Sequence, residues 1–162
     1  MHFRGTPDAR ALRMAVVVSR YNDFVTDRLK TGALDALTAA GAAPDAVDVV
    51  DVPGAYELPQ AAREVAATGR YDAVVCLGCL IRGETPHFDY ISSSVAHGIM
   101  AASAATGVPM SFGVLTTESA EQALERAAPG TSNKGWEAAT AAIEMATLRR
   151  AVRAGSSRSA PQ

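Results

Sequence analysis

A chain of 162 residues, 48% of them hydrophobic and 20% charged, is long enough to bury a sizeable core and reads as one domain. A formal net charge of −2 gives no electrostatic footprint for nucleic acid or for an anionic membrane surface. No apolar run approaches the ~20 residues of a membrane span, and residues 1–10, with Arg4, Pro7, Asp8 and Arg10, lack the apolar middle of a secretory signal, so the expected location is cytoplasmic.

In chain order, residues 1–12 mix Gly5, Pro7 and charges without periodicity and read as an extended arm. The β-branched run RMAVVV (13–18) predicts a strand. Asn22 or Asp23 is placed to cap a helix over 24–40. Val25, Leu29, Ala33, Leu37 and Ala40 form its buried stripe, and Gly41 ends it. A Pro44-Asp45 turn leads to a second strand over 47–52, which Pro53-Gly54 breaks. The next helix opens near Glu57, tolerates Pro59 in its first turn, buries Leu58, Ala61, Ala62 and Val65, and stops at Gly69.

The apolar run over 73–80 predicts a third, fully buried strand. A helix over 88–106 and a strand over 109–115 follow. A short helix over 119–127 has Glu121 as its expected capping-box partner. After Pro129-Gly130 comes a last helix over 133–154, with Trp136, Ala139, Ile143, Ala146 and Arg150 on one face. The polar stretch 155–162 is expected to be disordered.

Strands alternating with helices imply parallel βαβ units with right-handed crossovers. The expected fold class is α/β: a three-layer, doubly wound, flavodoxin-like domain over 13–154, with helices on both faces of a four-stranded parallel sheet. Four strands and many alanines make a thin core, so subunits are expected to pack on one another.

Cys76-Leu-Gly-Cys79 invites a redox or zinc reading. On an extended strand the two Cα atoms would lie ~10 Å apart, beyond the ~7 Å reach of a disulfide. His2, His87 and His97 supply no paired metal spacing. Buried, reduced thiols and no metal are the expectation.

In such a sheet the carboxyl ends of the strands meet at one edge, where ligands bind. The segments 19–22, 52–57, 79–87 and 112–116 would gather there Tyr21, Asn22, Tyr56, Glu57, His87 and Phe112. Singly, the aromatics read as packing residues at strand ends, and Glu57 as a helix-start residue favoured by the dipole. Together, an aromatic wall with one carboxylate suits a planar, nitrogen-rich ring. His97 reads as structural, and Ser92-Ser93-Ser94 as a helix surface, because no G-x-S-x-G elbow surrounds it.

Helix-start N–H groups after the third strand attract anions, and a histidine at that turn can move protons near neutral pH. The glycines of GCLIRGET (78–85) imitate a P-loop, but Glu84 and Thr85 stand where Lys and Ser/Thr are needed. Arg20-Tyr21-Asn22-Asp23 likewise departs from a flavin-phosphate loop. A phosphate on the Gly83-to-Thr85 backbone would need a cation, and Arg82 and Arg126 are both candidates. Lysine occurs twice, at 30 and 134, so an imine would draw its amine from a substrate. With no metal-ligand cluster, the chemistry is acid–base and positional.

With these residues assembled, the chain resembles the lumazine synthases of riboflavin biosynthesis. The matching segments are SRYN (19–22), VPGAYELP (52–59), GCLIRGETPHFDY (78–90), FGVLT (112–116), EQALER (121–126) and NKG (133–135) with EAA (137–139), in order along most of the chain. The resemblance implies a transferase without a cofactor. It would condense 5-amino-6-(D-ribitylamino)uracil with 3,4-dihydroxy-2-butanone 4-phosphate, giving 6,7-dimethyl-8-ribityllumazine, phosphate and water.

By the same resemblance, Tyr21 stacks on the pyrimidine ring, and Ala55, Tyr56 and Glu57 line the ribityl and ring pocket. Cys79, Leu80 and Ile81 offer main-chain contacts to the uracil edge, and Phe112 closes that side. Lys134 lies near the pyrimidine. Glu84 and Thr85 supply N–H groups to the phosphate, Arg126 supplies its cation, and His87 gives and takes protons. Sites would lie between subunits of a pentamer or of a pentamer-based shell, with riboflavin synthase as a candidate partner. Tyr21 and Tyr56 depart from a phenylalanine common in the family, Leu80 from a valine, and the 128–132 link, with Pro129, from the usual glycine- and lysine-containing one. The other reading is a non-catalytic lumazine- or flavin-binding relative, in which loss of His87 or Arg126 would be expected; both are present. A flavodoxin-like signalling domain would need an acidic cluster that is missing here.

Overall fold

The computed structural model describes residues 1–158. The elements are β1 (Met14–Ser19), α1 (Asp23–Ala39), β2 (Val47–Val52), α2 (Leu58–Ala67), β3 (Ala73–Ile81), α3 (His87–Thr106), β4 (Met110–Thr117), α4 (Ala120–Arg126) and α5 (Lys134–Arg158). All four strands run parallel, in the order β2-β1-β3-β4. The two inner strands are apolar almost throughout because both their faces are covered, whereas the edge strand β2 carries Asp48 and Asp51 among its valines.

Period-two alternation divides the core between the two faces of the sheet. Met14, Val16 and Val18 join Leu29, Leu37 and Ile143 from α1 and α5. Ala15 and Val17 join Leu58, Val95 and Ile99 from α2 and α3. Three layers result, as the sequence predicts. The cysteines follow the same rule: Cys79 lies in the α1/α5 layer and Cys76 in the α2/α3 layer. They project from opposite faces and remain free thiols. Burial pushes Cys76 up to about 12 and Cys79 to about 11.

Three local expectations need correction. Asn22 does precede α1, but in the left-handed region (φ 63, ψ 45), and its side chain makes no cap bond. In α4 the reciprocal partner is Gln122, not Glu121. Ser119 Oγ accepts from the Gln122 N–H at 3.2 Å, and Gln122 Oε1 accepts from the Glu118 N–H at 2.9 Å. With Ser119 as the N-cap, the third helical residue is Gln122.

Finally, α5 runs to Arg158, through the first part of the stretch expected to be disordered. The N-terminal arm lies along it. The Thr6 N–H donates to Thr147 Oγ1 at 2.8 Å, and the Phe3 ring occupies the space above Gly155, where a Cβ would come within 2.6 Å of it. The rest of that stretch, 159–162, lies outside the described residues. Among the described residues no helix is long and apolar enough to cross a membrane, and no group of three His, Cys, Asp or Glu is placed to hold a metal.

Candidate active site

The site begins with a mismatch of strand lengths. β1 pairs with β3 as far as Val18 and Leu77, while β3 and β4 stay paired to Ile81 and Thr117. The last residues of β3 therefore overhang β1. Asn22 fills part of the gap: its Nδ2 donates to the Cys79 carbonyl at 2.9 Å. Ile81, two residues on, points its backbone N–H and C=O to the same side, beyond the end of β1, where a ligand's polar edge can pair with them.

The turn after β1 is tied to the turn after β2. Arg20 N–H donates to the Val52 carbonyl (2.8 Å) and Tyr21 N–H to the Pro53 carbonyl (3.0 Å). Gly78 leaves room for the next segment, since a Cβ there would lie 3.0 Å from Leu58 and 3.5 Å from Ala55. The short 3-10 turn Ala55–Glu57 thus sits against β3 and carries Tyr56 and Glu57 outward. Tyr21 is 72% exposed and Tyr56 66%. These rings are not packing residues at strand ends; they stand at the rim of a cleft of about 390 Å³.

That cleft brings together eight of the expected residues: Tyr21, Ala55, Tyr56, Glu57, Leu80, Ile81, Thr85 and His87, with Asn22 between them. His87 is the first residue of α3 and its side chain is exposed. Proline precedes it as the N-cap without a side-chain bond, so the helix-start N–H groups remain directed at the loop over 82–86. An aromatic pair, a carboxylate, an imidazole and a backbone edge here match the needs of a polar heterocycle undergoing proton transfer.

Phe112, Arg126 and Lys134 lie elsewhere. They line a second cleft of about 450 Å³ between β4 and α5, which shares no residue with the first. Phe112 is 48% exposed on the edge strand. Arg126 Nη1 donates to the Gln122 carbonyl at 3.1 Å, and Lys134 pairs with Glu137 at 2.8 Å. Glu84 and Cys79 line neither cleft: Glu84 is exposed on the loop, and the Cys79 thiol is in the core with its carbonyl engaged by Asn22.

Of the two candidate cations, Arg82 is committed within the chain. It reaches Glu118 at 3.0 Å and Asp89 at 3.2 Å, and these carboxylates raise its pKa above that of an ordinary guanidinium. Sequence reasoning brought Asn22 to this edge without its bond to the Cys79 carbonyl, and gave Glu137 no role in the site. Asn22 carried a signal, because asparagine is among the few side chains that tolerate the left-handed region.

Residues 11–150 match the profile of the 6,7-dimethyl-8-ribityllumazine synthase family. A protein of Syntrophus aciditrophicus named 6,7-dimethyl-8-ribityllumazine synthase is 53% identical over 144 residues, covering 89% of this chain and 94% of its own length. One of the same name from Desulfatibacillum aliphaticivorans is 50% identical over 144 residues, covering 89% and 93%. One cleft at the carboxyl edge of a four-stranded parallel sheet, a second along its edge strand β4, and this degree of identity along nearly the whole domain lead to one conclusion: the chain belongs to the 6,7-dimethyl-8-ribityllumazine synthase family.

Proposed function

We propose that this chain is a transferase of riboflavin biosynthesis. It joins 5-amino-6-(D-ribitylamino)uracil to 3,4-dihydroxy-2-butanone 4-phosphate and releases 6,7-dimethyl-8-ribityllumazine, phosphate and water. The observation that carries the reading is the opening of His87, at the start of α3, into the same cleft as Tyr21, Tyr56 and Glu57. The pyrimidine ring stacks on Tyr21 with its polar edge on the Ile81 backbone, and the Leu80 side chain bounds the slot. Ala55 and Tyr56 flank the ribityl chain, whose hydroxyls donate to Glu57.

The chemistry follows from the substrates. The ring amine attacks the ketone, and loss of water gives an imine. Phosphate leaves by elimination, which requires removal of a proton from the adjacent carbon. A second carbon–nitrogen bond then closes the ring with loss of water. Each step moves a proton, and His87 is the group in the cleft suited to give and take it. The imine draws its amine from the substrate: Lys30 lies in α1, paired with Asp27 at 3.5 Å, and Lys134 is paired with Glu137 at 2.8 Å.

The phosphate sits on the N–H groups of Glu84 and Thr85, and its cation is Arg126. Arg126 lies with Phe112 and Lys134 in the other cleft, so one chain holds two half-sites. We propose that they close against neighbouring copies in a ring, with Phe112 and Lys134 of one copy facing the pyrimidine bound by the next; a pentamer or a shell built from pentamers is the assembly in view. Two unpaired thiols suit a reducing, cytoplasmic setting.

The test is to mix the purified protein with both substrates and follow lumazine absorbance and fluorescence. Product formation above the uncatalysed rate is expected. Binding of the lumazine without turnover would assign the chain to a carrier role instead.

A further inference from the structure

The loop over 82–86 carries the proposed phosphate contacts and leads into His87, yet little holds it locally. A Cβ at Gly83 would meet nothing within 4 Å, and Pro86 gives α3 no side-chain cap. Arg82 supplies the missing anchor from three directions. Its Nε lies 3.1 Å from Glu118 Oε1 and 3.0 Å from Oε2. Its terminal nitrogens lie 3.3 and 3.2 Å from the Asp89 carboxylate, and its Cζ lies over the Phe88 ring, 4.6 Å from the centroid. The main chain adds a fourth tie, from the Arg82 N–H to the Thr117 carbonyl at 2.8 Å.

Phe88 and Asp89 are the second and third residues of α3, and Thr117 and Glu118 form the corner between β4 and α4. We propose that Arg82 is a positioning residue rather than a phosphate ligand: it clamps the first turn of α3 to the β4–α4 corner, fixing the direction of His87 and the curvature of the phosphate loop. This rests on the synthase reading above. The planar fork of arginine makes the arrangement possible, since it can serve two carboxylates along its edges while its face covers a ring; an ammonium cannot do all three. One cation here faces two carboxylates, so no positive charge is left over for an incoming phosphate.

The two roles for Arg82 predict opposite signs for Glu118→Gln. A clamp is weakened, so binding of the butanone phosphate worsens. A phosphate ligand is released from a competitor, so binding improves. We therefore expect Arg82→Gln to lower kcat and to raise the KM for 3,4-dihydroxy-2-butanone 4-phosphate by about fivefold, leaving the pyrimidine KM within about twofold. Glu118→Gln should move both constants the same way by less, and Arg82→Lys should fall between Arg82→Gln and the unaltered protein. A lower KM for the phosphate substrate in Glu118→Gln, or unchanged constants in all three variants, would overturn the clamp.

If the unaltered protein makes no lumazine, the synthase reading fails, and the clamp is judged by hydrogen exchange alone. Backbone amides over 83–90 should then exchange about tenfold faster in Arg82→Gln than in the unaltered chain. Equal rates would overturn the clamp independently of the reaction.

Discussion

Asn22 gives a sharp test of how the site is built, because its backbone and its side chain argue for different substitutions. The backbone is left-handed at φ 63, and the side-chain amide satisfies the half-buried Cys79 carbonyl at 2.9 Å. Asn22→Ala removes the donor, at about 1–3 kcal/mol for a carbonyl left without it. It also puts a Cβ with no compensating local bond in the left-handed region, at about 1 kcal/mol more. The expected loss is about 2–4 kcal/mol. Asn22→Gly removes the same donor but relieves the backbone, so it should be milder than alanine by about 1 kcal/mol. Glycine milder than alanine reverses the usual order inside regular structure. Urea unfolding followed by the single Trp136 measures both, at one fixed protomer concentration, because self-association would otherwise shift the midpoint. Alanine as mild as glycine, or a loss below about 0.5 kcal/mol in both, would refute the account of the Asn22 bridge.

Three further outcomes are expected. His87→Ala should lower kcat by about 10²-fold or more with little change in the KM of either substrate, measured by lumazine fluorescence; an unchanged rate would remove the proton-transfer role. Arg126→Ala should weaken 3,4-dihydroxy-2-butanone 4-phosphate by at least about tenfold and the pyrimidine far less, and equal weakening of both would point to a disturbed interface instead. The buried Cys76 thiol, held at about 12 against an ordinary 9.0, gives a pH dependence of definite sign. As pH rises the unfolded chain releases this proton first, so the associated stability is whole below about pH 9 and declines between there and about pH 12. Replacing Cys76 by alanine should flatten that alkaline decline in unfolding experiments; an identical slope would show that the thiol does not contribute.

The inner strands were legible because burial on both faces demands apolar residues at nearly every position, and β2 was legible because its valines stand between the Pro44-Asp45 turn and the Pro53-Gly54 break. What the sequence could not supply were links that close only in three dimensions. The Asn22 amide meets a carbonyl 57 residues away, and α5 continues past 154 alongside an arm that reaches it from 141 residues upstream. From the residues alone Arg82 and Arg126 were both candidates as a phosphate cation, and the family resemblance singled out Arg126; the bonds of Arg82 to Glu118 and Asp89 appear only in the tertiary structure. The separation of Phe112, Arg126 and Lys134 from the His87 cleft depends on β4 being an edge strand, and strand order is not written in the alternation of elements.

The division of the site between copies can be measured directly by mixing two defective chains. His87→Ala spoils one half-site and Arg126→Ala the other, and the two are co-refolded in equal amounts and assayed at subsaturating butanone phosphate. If each site takes one half from each of two copies, random assembly restores about a quarter of the sites, and lumazine formation should rise well above that of either parent. A mixture no more active than the average of its two parents would mean that each chain works alone, contradicting the account.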